Sequence, residues 1–140
     1  MPRHFLMFVV VASLTSLAVA QKPTVKKVPA PYTSPTSGPE MYASYCAACH
    51  GKDAKGNGPA APALKVPPTD LTMLAKQNHG KFPYDHVAAV LNGKAMMPAH
   101  GSSEMPIWGK VFWSISGGHK GEVQQRVANL TKYLESMQVK

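Results

Sequence analysis

The sequence predicts an all-α domain with long loops, and three observations carry that expectation. No stretch alternates apolar and polar residues at period two over the length of a strand. The final apolar pattern sets Val123, Val127, Leu130, Leu134 and Met137 at alternating spacings of four and three, which is one face of a helix. The remaining apolar segments are separated by clusters of glycine and proline, the residues that interrupt helices and open loops.

The chain begins with an address. Arg3 and His4 precede the apolar run FLMFVVV, and Ala18-Val19-Ala20 supplies a small-residue cleavage site. Residues 1–20 are therefore predicted to be a secretory signal peptide cut after Ala20, with an uncleaved membrane anchor as the alternative. The residue directly after the cut is Gln21 and not a cysteine, so no lipoprotein attachment is expected there. Residues 21–38 form a Pro-rich linker, with Pro23, Pro29, Pro31 and Pro35 among Lys, Thr and Ser. Such a stretch tends to polyproline geometry and buries little. The folded domain is expected over residues 39–140.

Within that domain Pro39 suits the first turn of a helix and Glu40 complements its positive end. The segment EMYASYCAACH continues it, with Met41, Tyr45 and Cys49 on one side. Residues 51–68 are a Gly/Pro loop. Thr69 is the expected cap of a short helix over 70–78. A third helix covers PYDHVAAVLN with Gly93 as its stop. After a loop over 94–104, Pro106 opens a helical turn carrying Val111, Phe112 and Trp113. The last helix follows Gly117-Gly118, and its polar faces take Gln124, Gln125, Arg126, Lys132 and Glu135.

Composition removes several classes. A chain of 140 residues with 44% hydrophobic and 16% charged residues is neither disordered nor collagen-like. Two cysteines are too few for a disulfide scaffold. Past the N-terminus no apolar run of about 20 residues exists, so the mature chain has no internal span. Fifteen Lys and Arg against seven Asp and Glu give a net charge of +8. The lysines are scattered and no basic run carries interleaved aromatics, which argues against nucleic acid. The charge serves as a solubilising surface or as a field that steers the protein to acidic partners.

The informative string is Cys46-Ala47-Ala48-Cys49-His50, a C-x-x-C-H. Two thiols at this spacing near a helix end each add to a haem vinyl group, and the adjoining histidine binds the iron. A thioredoxin-like pair wants the cysteines at a helix start inside a βαβ pattern. A structural zinc wants a fourth ligand and preferably a second paired motif, which His79, His86, His100 and His119 do not form. A plain disulfide leaves His50 without a role. One covalent haem c is the expectation.

These residues make the chain resemble the class I mono-haem c-type cytochromes of bacterial export. The likeness runs from Tyr45-Cys46-Ala47-Ala48-Cys49-His50-Gly51 through Gly56, Gly58-Pro59-Ala60 and Leu91-Asn92-Gly93. It continues in Met105-Pro106-Ile107-Trp108-Gly109 and a last helix ending at Met137-Gln138. With the motif near the front of the domain, the four-helix cytochromes c′ are a poor match; a single motif likewise disfavours multihaem enzymes. The resemblance implies the cytochrome c fold, in which N- and C-terminal helices pack around the haem. It also implies that the proline-rich loop orients the His50 ring, with Pro59 and Pro62 near the carbonyl concerned.

For the sixth iron ligand the methionines are Met73, Met96, Met97 and Met105, with the four histidines as outsiders. Met97 and Met105 both precede proline, which biases them to extended backbone. Met105 is followed by Trp108, Phe112 and Trp113, bulky groups expected to wall off the haem, and HGSSEMPIWG is similar to the ligand segment of some bacterial members. Met105 is the expected ligand, with Met97 or Met96 as alternatives. Met73 reads as core, and His100 as a hydrogen-bonding neighbour of a propionate.

Histidine and methionine together saturate the iron and favour electron transfer over chemistry at the metal. The expectation is a periplasmic one-electron carrier, not an enzyme, that docks on acidic patches of an oxidase, dehydrogenase or cytochrome complex. A second reading is a haem subunit tethered to a membrane oxidoreductase through residues 21–38 or a retained anchor. A third, an enzyme or gas sensor, requires an open sixth position.

Overall fold

Ser37 starts the first helix: its side chain accepts the backbone N–H of Glu40 at 3.3 Å, satisfying one of the donors a helix start leaves open. In the computed structural model, which describes residues 24, 26, 28–95 and 105–139, this helix α1 spans Gly38–Tyr45. A single turn, α2, follows at Ala47–His50. The chain then passes through 3-10 turns at Ala61–Ala63 and Leu71–Met73 to α3, Leu74–Gln77. Three further helices complete the domain: α4 at Tyr84–Leu91, α5 at Trp108–Ile115 and α6 at Lys120–Ser136. The described residues contain no strand, and the fold is all-α, as the sequence predicts.

Helix α6 is the axis of the domain. It packs most extensively on α1, and α4 and α5 lie against it as well. The α1–α6 crossing is close because Gly38 has no side chain: a Cβ there would stand 2.6 Å from both the Asn129 carbonyl oxygen and the Tyr133 Cβ. Farther along the crossing, the Tyr42 and Tyr133 rings meet at 5.6 Å between centroids. The apolar stripe faces inward as the spacing predicts, with Val123, Val127, Leu130 and Leu134 buried. Met41, Leu91 and Phe112 join them from α1, α4 and α5. The C-terminus clamps the α3 segment, since Gln138 accepts the Ala75 N–H at 2.9 Å and donates to the Leu71 carbonyl at 2.7 Å.

Four details differ from the sequence expectation. The helix expected to run through EMYASYCAACH breaks at Cys46, where φ is −110°. The short helix is capped by Asp70 rather than Thr69; the Asp70 carboxylate accepts the Thr72 N–H at 2.9 Å. Trp113, expected over the haem, is half-exposed and packs beside Gly118. Arg126, assigned to a polar face, is wholly buried. It lies one residue before Val127 and three after Val123, inside the apolar arc, and is tolerated there because its donors find acceptors.

Packing also reaches back into the Pro-rich segment. Thr33 is buried, the Pro35 carbonyl accepts from Asn129 at 2.9 Å, and the Pro31 carbonyl accepts from the Tyr45 hydroxyl at 2.7 Å. Residues 31–37 thus form a strap across α1 and α6. Residues 1–20 lie outside the described residues.

Candidate functional site

The C-x-x-C-H turn is α2 with its N-cap Cys46, and a four-residue helix has no stability of its own. The loop that follows supplies it. The last four carbonyls of α2 each accept a backbone N–H: Ala47 from Gly51, Ala48 from Ala60, Cys49 from Gly58 and His50 from Gly56, at 2.8 to 3.0 Å. A helix end that would otherwise leave four acceptors open is fully satisfied by one loop. Gly58 allows the approach, because a Cβ there would stand 2.6 Å from the Cys49 carbonyl carbon. From the other side Tyr42, buried in α1, donates its hydroxyl to the Gly51 carbonyl at 2.6 Å.

The turn opens on a partly enclosed, mostly apolar hollow. Cys46, Cys49, His50 and Met105 all line it, together with Tyr45 and Trp108. A second apolar hollow shares His50 and Met105 and is walled by Leu71, Val87, Leu91 and Leu134. Four residues singled out from sequence, three of them 55 positions or more from Met105, are therefore brought to one apolar space.

His50 is buried, and its Nδ1 meets the Thr69 carbonyl at 3.0 Å. A carbonyl only accepts, so the proton sits on Nδ1 and the lone pair on Nε2. The orienting carbonyl is Thr69, next to Pro68, and not one beside Pro59 or Pro62 as the sequence reading expected. Those two prolines belong to the 3-10 turn region that backs the loop. Cys46 is buried and its thiol is pushed up to about 12, first by burial and then by the neighbouring Cys49. It is a neutral thiol rather than a reactive thiolate. Cys49 is half-buried, and no disulfide joins the two.

Met105 is half-buried and enters just before α5. Trp108, buried at the start of that helix, stacks near Tyr45 at 5.3 Å between centroids, and Phe112 closes the cluster at 5.7 Å from Tyr45. Of the alternatives, Met96, Met97 and His100 lie outside the described residues. Met73 is half-buried and lines neither hollow, and His79 and His119 sit in exposed turns. His86 lines the second hollow, a placement that its position in an amphipathic helix did not signal.

Sequence reasoning missed Tyr45 as a wall of the site and missed what holds it. Its hydroxyl meets Thr33 Oγ1 at 2.8 Å, and Thr33 Oγ1 accepts from Arg126 at 3.1 Å. Each partner is more than ten residues away in sequence, so no local pattern reports them.

An all-α domain with this motif facing an apolar cleft is a c-type cytochrome domain. Residues 33–110 match the family described as cytochrome C oxidase, cbb3-type, subunit III, and the chain belongs to that family. No curated protein and no solved structure matches the chain. It is a haem c domain for electron transfer, as a carrier or as an oxidase-type subunit module. No helix among the described residues is long and apolar enough to cross a membrane.

Proposed function

We propose that the chain is an exported one-electron carrier with one haem c, joined through Cys46 and Cys49 and ligated at its iron by His50 and Met105. The observation that supports this reading is the convergence of two thiols, an oriented imidazole and a thioether on one apolar hollow. The donor set fits the group: two thiols, joined in no disulfide, face the apolar hollow, and each would add across a vinyl double bond with sulfur on one carbon and hydrogen on the other. His50 presents Nε2 as its basic nitrogen because Thr69 holds Nδ1–H. When bound, haem c supplies a single reversible electron at iron, and histidine–methionine ligation raises the potential.

The chain's own residues do the rest. Trp108, Tyr45, Leu91 and Leu134 keep the site apolar, which disfavours the more charged ferric state. Met105 and His50 leave the metal no open position, so the protein carries electrons and is not an enzyme. The lysines at 52, 55, 65, 76, 81, 94, 110, 120 and 132 are all exposed, which supports steering to acidic patches on a redox partner. Residues 1–20 direct export to the periplasm, and of the Pro-rich segment 21–38 the part from 31 onward packs on the domain.

The family description favours a second reading, a haem module within an oxidase complex, with the strap and the segment before it as its tether. The two readings share the site. Intact mass of protein matured in an exporting host tests the attachment: one haem must survive denaturation in the wild type and be lost from a Cys46→Ala, Cys49→Ala double variant. Purification from native membranes then separates carrier from module, because a module elutes with partner subunits and a carrier alone.

A further inference from the structure

Arg126 is a costly residue to place where it is. It is fully buried on the apolar arc of α6, between Val123 and Val127, where a leucine would pack without a charge to satisfy. Every arm of its guanidinium is directed. Nη2 donates to Glu122 Oε1 at 2.7 Å, Nε is shared between Glu122 and Ser116 Oγ at 3.1 Å, and Nη1 donates to Thr33 Oγ1 at 3.1 Å. The exposed Tyr32 ring covers the guanidinium at 4.9 Å.

The Thr33 contact continues inward with a defined sense. The Tyr45 hydroxyl has one hydrogen and gives it to the Pro31 carbonyl at 2.7 Å. Thr33 must then donate to the Tyr45 oxygen, at 2.8 Å, while its own oxygen accepts from Arg126. The line Arg126–Thr33–Tyr45–Pro31 thus runs one way from donor to acceptor, and its last donor, Tyr45, is the residue whose ring lines the cleft beside Trp108. Trp108 stands three residues after Met105, at the first position of α5.

We propose that Arg126 is a positioning residue for the cleft. Through Thr33 it locks Tyr45, and Tyr45 braces Trp108 and the Met105 segment, so that the thioether stays on the iron and small ligands stay off. This rests on the reading of Met105 as the sixth ligand. Asn129 holds the same strap by donating to the Pro35 carbonyl but has no path to Tyr45, which makes it the control.

The test is a cyanide titration of the ferric holoprotein followed by its optical spectrum. Thr33→Val removes the hydroxyl that joins Arg126 to Tyr45 and leaves every cleft-lining side chain in place. Half-saturating cyanide should fall about tenfold, which converts to about 1.4 kcal/mol. Thr33→Ser keeps the hydroxyl and should restore wild-type resistance. Tyr45→Phe should match Thr33→Val, and the double variant should go no further, because both break one chain. Asn129→Ala should stay within twofold of wild type. A Thr33→Val variant within twofold of wild type overturns the proposal alone, as does an Asn129→Ala variant that loosens just as much. A wild type already high-spin and open to cyanide overturns both this proposal and the Met105 ligation.

Discussion

His50 and Thr69 are joined by a hydrogen bond of 3.0 Å from the imidazole Nδ1 to a backbone carbonyl. That contact fixes both the tautomer and the ring plane, since the other nitrogen becomes the electron-pair donor. The carbonyl itself is held in place locally: Asp70 caps the 3-10 turn that follows, and the Leu71 N–H donates to the Ala54 carbonyl at 2.8 Å. A single backbone atom, anchored by its neighbours, thus orients the proposed proximal ligand.

Replacing Met105 removes the proposed soft ligand. Met105→Ala should lower the midpoint potential by about 60 mV for each tenfold loss of ferrous preference. The ferric protein should also bind cyanide. Potentiometric titration with and without cyanide checks both, and a variant with unchanged potential and spectrum would move the ligand elsewhere.

Gly58 carries the close approach between loop and turn. Gly58→Ala should destabilise the domain by about 1–3 kcal/mol, the usual range for forced overpacking, because the added methyl meets backbone that has nowhere to go. Denaturant unfolding of the holoprotein measures it, and haem yield on maturation should drop with it.

The core has its own marker in Leu130, which is fully buried where α1 crosses α6. Leu130→Ala should cost about 2–5 kcal/mol while leaving the ligand spectrum of the folded fraction unchanged.

Stability should fall in acid through Glu122. Its carboxyl is held below the ordinary 4.5, first by the hydrogen bond from Arg126 and then by that from Ser116. A depressed folded value means that the stabilisation is complete above the ordinary value and is lost as pH falls through the depressed one. Unfolding midpoints measured downward from about pH 5 should therefore decline more steeply in the wild type than in Glu122→Gln.

Electron transfer to an acidic partner should slow with salt. Without residues 1–20 the net charge is +7, the domain's described lysines are exposed, and the screening length shortens from about 10 Å at 0.1 M to about 3 Å at 1 M. Stopped-flow rates that do not change over that range would reduce the lysines to a solubilising surface.

Much of this was legible in the sequence, for reasons that differ by element. Helix α6 announced itself because Val123, Val127, Leu130 and Leu134 face one neighbour at helical period. The thiols and His50 were legible because their chemistry needs adjacency. Met105 could be placed beside them only by residue type and its neighbours, and the structure does bring it to their hollow. Arg126 was misplaced because periodicity marks a polar residue as outward, and its acceptors Thr33 and Ser116 lie 93 and 10 residues away. Thr69 escaped because its contribution is a carbonyl, which every residue carries. Trp113 was assigned to the cleft by size, yet its helix turns it to solvent.

The most direct test of the central claim is the optical spectrum of the matured protein, ferric and ferrous, before and after cyanide and carbon monoxide. The account predicts a low-spin ferric spectrum with the weak red methionine-to-iron band and no early response to either ligand. A high-spin ferric spectrum that shifts on adding cyanide, or a ferrous one that shifts at once with carbon monoxide, would contradict it and mark an open iron.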